Sequence, residues 1–230
     1  MKAIFHGHSF LELKIDADGR EYTVLIDPFI EGNSHNDLNP KDIKCDYIIL
    51  THAHADHFGS TEEIAKNNEA TVIANPEISD YLNSKGIKVH GMNIGGSHTF
   101  PFGNVKFTIA HHSSSFDFDG GGYAGDPAGL IISSGGKVLY DAGDTGIFYD
   151  MKLIGEMHNI DVAFLPIGDN YTMGIDDAVK AAEFINAGTV VPIHYNTFDV
   201  IKTEPDEFKK KIEAIGKKCT VVTPGEAIEI

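Results

Sequence analysis

Residues 51–57 read Thr-His-Ala-His-Ala-Asp-His and follow directly on the short apolar run Tyr47–Leu50. A run of that length fills a buried strand, so the chain has to bring a dense patch of imidazole and carboxylate to a strand end. Such a patch is either a histidine-rich polar turn or half of a metal site, and a metal site needs further ligands from distant segments. Three other apolar runs end in the same chemistry. "VKFTIA" precedes His111 and His112, "KVLY" precedes Asp141 and Asp144, and "TVVPI" precedes His194. Parallel and mixed sheets form their binding crevices beyond the C-terminal ends of their strands, so four such endings predict one shared site.

The spacing in the first cluster has a physical reading. His52 and His54, two apart in extended chain, point to the same side and can grip one cation. Asp56 and His57 are adjacent, so only a turn entering the next helix lets both aim at a second cation. Nitrogen and oxygen donors suit Zn²⁺ first, and also Mn²⁺ or Fe²⁺. Taken singly, His112 and His194 read as ordinary surface or core histidines; the joint pattern is what singles them out. His6, His35, His90, His98 and His158 have no partner in that pattern and are assigned no role.

The local patterns predict strands over Ala3–Phe5, Ser9–Ile15, Glu21–Ile26, Tyr47–Leu50, Val72–Ala74, Lys88–His90 and Val105–Ala110. In the second part Lys137–Tyr140, Val162–Pro166, Thr189–Ile193, Cys219–Val222 and Ala227–Ile230 repeat the strand signal. Helices are expected after a Ser60 capping box, over Ile78–Lys85, over Met151–His158 behind an Asp150 cap, over Asp176–Asn186, and over Pro205–Ile215. Strands first, then strand–helix alternation in both halves, predict an α/β architecture: two mixed sheets face to face with helices outside. Residues 1–230 read as a single domain, since no linker, repeat or low-complexity tract interrupts them.

Composition narrows the partners. The net charge of −16 argues against the clustered Lys and Arg that long nucleic acids require, but not against small anions, because bound cations invert the local field. No apolar run approaches the length of a membrane span, and the start "MKAIFHGHSFLELKI" lacks the apolar core of a signal peptide. With two widely separated cysteines, Cys45 and Cys219, these features predict a cytoplasmic chain with reduced thiols. A homo-oligomer is compatible with this reading.

The motif "THAHADH" at 51–57, with "HGHS" at 6–9, "IDPF" at 26–29, "HHSSS" at 111–115, "AGDTG" at 142–146, "LPIGDN" at 165–170 and "PIHYNTF" at 192–198, resembles the metallo-β-lactamase superfamily. Within it the chain is most similar to metal-dependent hydrolases related to L-ascorbate-6-phosphate lactonases. The resemblance spans essentially the whole chain. It implies an αββα sandwich and a dinuclear site, with His52, His54 and His112 on one metal, Asp56, His57 and His194 on the other, and Asp144 bridging. It favours His112 over His111 as the ligand, because the family's serine run follows the ligand; His111 is left to packing or to supporting a ligand. His8, Asp27, Asn170 and Tyr195 are candidates for lining the site or supporting its ligands.

Two cations about 3.5–4 Å apart can turn a shared water into hydroxide near neutral pH. The expected activity is therefore metal-dependent hydrolysis of a small, anionic ester or lactone, with Asp56 orienting the nucleophile and taking its proton. The alternatives are a phosphodiesterase or ribonuclease acting on nucleotides or short RNA, and a metal-binding interaction protein without turnover.

Overall fold

A computed structural model describes residues 1–118 and 120–230. The chain begins with strands β1 (Lys2–Phe5), β2 (Leu11–Ala17), β3 (Arg20–Ile26) and β4 (Tyr47–Ile49), followed by the one-turn helix α1 (Ala55–Phe58) and α2 (Thr61–Asn68). Strand β5 (Thr71–Ala74), α3 (Pro76–Ser84) and β6 (Val89–Gly91) complete this half. The second half runs β7 (Ser97–Phe100), β8 (Gly103–Ile109), β9 (Ala128–Ser134), β10 (Lys137–Asp141), α4 (Asp150–Met157), β11 (Val162–Pro166), α5 (Ile175–Ile185) and β12 (Thr189–Ile193). It closes with α6 (Pro205–Ala214) and β13 (Ala227–Glu229).

The first sheet has the order β13-β1-β2-β3-β4-β5-β6 and the second β12-β11-β10-β9-β8-β7. Both are mixed. β3, β4, β5 and β6 run parallel, as do β10, β11 and β12, while the remaining pairings are antiparallel. Side chains alternate between the two faces of a strand, and here both faces are buried. Leu11, Leu13, Val24, Ile26, Ile49, Leu130, Ile132 and Leu139 meet between the sheets. Their neighbours Leu25, Ile48 and Leu50 pack outward with α2 and α3. Ile131 and Tyr140 pack outward with α4, α5 and α6. Helix α5 buries Ala178, Ala181, Ala182 and Ile185, one stripe at helical spacing. The result is the expected αββα sandwich.

Several local expectations need correction. Ser60 precedes α2 but its side chain makes no capping bond. Tyr149, not Asp150, is the residue before α4, and Asp150 supplies negative charge inside the first turn instead. Cys219–Val222 is no strand; only an isolated bridge joins Cys219 to Val190. Two strands carried no recognised signal. β7 is an exposed edge with a polar pattern, and the first five residues of β9 are all buried, so it lacks alternation.

On β2, the Glu12 carboxylate lies 3.0 Å from His6 Nε2 and 2.7 Å from Lys14 Nζ. Burial alone would raise this carboxyl, but the hydrogen bonds from His6 and Lys14 outweigh it and bring it down to about 2. A carboxyl depressed in the folded state contributes stability above its unfolded value and loses it as pH falls toward the folded one. We therefore expect on the order of 2 kcal/mol to be lost between about pH 5 and 2, and Glu12→Gln to flatten that part of the acid denaturation curve. An unchanged slope in the variant would remove Glu12 from the account.

Candidate metal centre

The four ligand-bearing segments converge, as their strand ends predict. β4 delivers the extended stretch Thr51–His54 and then α1, which carries Asp56 and His57 on a single turn. That turn ends at Gly59 with φ +49°, where a Cβ would sit 2.4 Å from the Pro28 carbonyl oxygen. Only glycine lets α1 pack this closely on the loop after β3. Three of the polar residues gathered here are themselves held at positive φ: His8 at 60°, Asp27 at 47° and His194 at 54°. Such backbone is sparsely populated by non-glycine residues and gathers at functional sites.

Donor atoms within 4.8 Å of one another form three groups: His52, His54 and His112; His8, Asp56, His57 and His194; and Asp27, His52 and His57. Asp144 ties the first two together. Its Oδ2 lies 3.0 Å from His194 Nε2, 3.3 Å from His57 Nε2 and 3.6 Å from His112 Nε2. His52 Nε2 and His54 Nδ1 are 3.0 Å apart, close to the separation of about 3.3 Å that two nitrogens take on one tetrahedral zinc. His57 Nε2, both nitrogens of His194 and Asp144 Oδ1 are buried without a hydrogen-bond partner among the described residues. Buried polar atoms are normally satisfied, and cations bound between these groups would satisfy His57 Nε2, Asp144 Oδ1 and one nitrogen of His194. The donor set, nitrogen and carboxylate oxygen only, therefore fits divalent metal.

The surrounding groups fix how each ring faces. Asp27, fully buried, accepts from the Thr51 backbone N–H at 2.9 Å and from the Thr51 hydroxyl at 2.5 Å. It also holds His57 Nδ1 at 2.7 Å, which turns His57 Nε2 toward Asp144. Thr51 Oγ1 further lies 3.0 Å from His52 Nδ1. His8 spans Asp56 Oδ2 and Thr197 Oγ1, each at 3.1 Å, and both of its ring nitrogens are used. Thr51 and Thr197 were assigned no role by sequence, although they lie within the stretches 51–57 and 192–198.

Electrostatics follow from this packing. Burial alone would lower the His57 imidazole, but the flanking Asp144 and Asp27 carboxylates raise it well above its ordinary value. Burial would raise Asp144, yet His194 and His57 hold it well below the carboxylate range. His52 is lowered by burial and then by His57, and His8 is pushed down to about 3 by burial and by His194. Asp56 is held below the carboxylate range because the His8 hydrogen bond and the charge of His57 outweigh its burial. Asp141, also at a strand end, is buried and pushed up to about 7 by that burial, with Oδ1 accepting from the Gly143 N–H.

A cavity of about 350 Å³ opens on the cluster. His54, Asp56, His112, Asp144 and His194 line it, and Ser113, Asp117 and Tyr171 complete its wall. A larger groove of about 500 Å³ lies at the opposite strand ends near Lys137, His158 and Glu229, and includes none of the clustered histidines. Not every candidate joins the site. His111 stacks its ring on Phe148 at 4.9 Å and belongs to none of the donor groups, because the residue after a strand end points opposite to its neighbour. Tyr195 is a correction: it packs in the core between the second sheet and its helices, and burial pushes its hydroxyl up to about 12. Asn170 is exposed and does not line the cavity; its neighbour Tyr171 does. Asp117 was missed by sequence, although its position between Phe116 and Phe118 carries a signal of alternation.

Because His57 depends on Asp27 for its orientation, Asp27→Asn is expected to weaken metal binding about 10- to 100-fold. Competition against a chelator measures this directly; unchanged affinity would mean that Asp27 supports only Thr51.

The β-lactamase superfamily domain matches residues 22–195. A UPF0173 metal-dependent hydrolase of Geobacillus thermodenitrificans is 52% identical over 233 residues, covering 100% of both chains. Its counterpart from Anoxybacillus flavithermus is 52% identical over 232 residues with the same coverage. Among solved structures, Igni18, a novel metallo hydrolase from the hyperthermophilic archaeon Ignicoccus hospitalis, aligns with a TM-score of 0.88 and 38% identity over 100% of this chain and 98% of its own. YhfI from Bacillus subtilis, a metallo-β-lactamase fold protein, aligns with a TM-score of 0.75 at 14% identity over 100% of this chain and 99% of its own, a likeness of fold alone. On sequence and on architecture together, the chain belongs to the β-lactamase superfamily and, within it, to the UPF0173 metal-dependent hydrolases.

Proposed function

We propose that this protein is a dinuclear metal-dependent hydrolase of small esters or lactones. The carrying observation is the position of Asp144 Oδ2 between His57, His194 and His112, which suits a carboxylate shared by two cations. In this reading His52, His54 and His112 would hold one cation, and Asp56, His57 and His194 would hold the other. His8 and Asp27 stay outside the ligand set, because each already spends its polar atoms on a ligand and a threonine. When bound, the cations would supply a water acidic enough to attack near neutral pH and positive charge for the developing oxyanion.

The protein's own residues do the rest. His8 fixes Asp56 through Oδ2, and the Asp56 carboxylate is the group that orients the attacking water and receives its proton. Asp27 holds His57 in the one ring orientation that keeps Nε2 toward Asp144. A cavity of about 350 Å³ is at the small end of sites that take metabolite-sized ligands, which favours a small substrate over a polymer. Its wall contains no Lys or Arg among the described residues, so negative charge on the substrate would be met at the reacting centre by the cations rather than by side chains.

The test is one metal-replete preparation assayed on sugar lactones, aryl esters, cyclic nucleotides, bis-p-nitrophenyl phosphate and an RNA oligonucleotide. The highest kcat/KM is expected on a lactone or ester. Faster cleavage of the oligonucleotide than of any small molecule would overturn the substrate class.

A further inference from the structure

Between β8 and β9 the connecting segment contributes Ser113 and Asp117 to the wall of the cavity. It is closed like a hairpin: Ser115 bridges Tyr123, and the Phe116 N–H donates to the Gly122 carbonyl at 2.9 Å. Two aromatic side chains anchor it. The Phe116 ring lies 4.8 Å from Tyr81 on α3, and the Phe118 ring 4.7 Å from Phe58 on α1. Both pack on the cluster between the first sheet and its helices.

Between these two packed rings, Asp117 lines the cavity. Ser115 Oγ donates to Asp117 Oδ1 at 2.7 Å, which restrains the carboxylate. Apart from Asp117, Asp144 and the residues of the donor groups, the rest of the wall is Ser113 and Tyr171, both uncharged, and Tyr171 is exposed.

We propose that Asp117 selects substrates by the charge of their far end: the group beyond the scissile bond, away from the metals, is cationic, and an anionic far end is rejected. This rests on the ester and lactone reading above and reverses, for that part of the molecule, what an anionic substrate would need. Charge at the reacting centre is met by the cations, whereas the rim presents a carboxylate and no opposing cation among the described residues. The overall charge of −16 adds to the repulsion of an anionic tail.

The experiment uses propylphosphonic acids whose far end is a methyl group, a carboxylate or a trimethylammonium, titrated calorimetrically into metal-loaded protein. The phosphonate end binds at the metals, so differences in Kd read the rim. In the wild type the trimethylammonium compound is expected to bind about tenfold more tightly than the carboxylate compound. Asp117→Asn should bring that ratio close to one, and Asp117→Lys should invert it. Equal affinities in the wild type, or a ratio unmoved by Asp117→Lys, overturn the proposal. p-Nitrophenyl esters with the same three far ends separate it from the reading beneath it. A ranking of phosphonates without turnover of any ester leaves Asp117 standing and removes the ester reading. Turnover of all three esters at equal kcat/KM does the reverse.

Discussion

Asp56→Asn is expected to lower kcat by roughly 10²–10⁴-fold while KM changes little, the pattern for an interaction made only in the transition state. Asparagine keeps the size of the side chain and can still meet His8, but it is a weaker ligand and cannot take a proton. In the native chain the burial of Asp56 is outweighed by the His8 hydrogen bond and the charge of His57, so the carboxylate stays ionised. Metal content must be measured on the same sample, since loss of a cation would lower kcat for a different reason. Full turnover by a metal-replete Asp56→Asn would transfer the proton to another group.

The second large effect is on metal stoichiometry. Elemental analysis of gently purified protein should approach about two equivalents of transition metal per chain, as expected of two donor groups joined at one carboxylate. His54→Ala removes a ligand from one group and His194→Ala from the other, so each variant should retain about one equivalent. Asp144→Asn faces both groups and should weaken both. A wild-type content of one that added Zn²⁺ or Mn²⁺ cannot raise would sink the dinuclear reading. Two tightly held equivalents in Asp144→Asn would sink the bridging role alone.

These two experiments probe the same geometry from different sides. Asp144 and His57 stabilise each other in the absence of metal, and Asp27 adds a second carboxylate to His57. A cation entering between them replaces one strong electrostatic interaction with another, so substitutions here test the arrangement of charges as well as the ligands. Asp56 stands apart, because its partner His8 is brought in from the loop between β1 and β2.

What sequence alone determined was local. Short apolar runs mark buried strands, and polar clusters just beyond them mark the strand ends, because both signals need only a few neighbouring residues. That was enough to group the strand ends carrying His52, His54, Asp56 and His57, His111 and His112, Asp141 and Asp144, and His194, and to draw the two-layer sheet architecture; the selection of His112 and Asp144 came from the family resemblance. The tertiary structure decided everything that depends on direction. Whether His111 or His112 faces the centre, whether Tyr195 enters the cavity or the core, and how Asp27 and His8 reach their ligands all turn on backbone set by distant packing. His8 meets Thr197 across 189 residues. Asp117 owes its aim to two phenylalanines held by helices α1 and α3. The strands without alternation, β7 and β9, escaped notice for the same reason: an exposed edge and a strand buried on both faces differ in environment, and environment belongs to the assembled sheets.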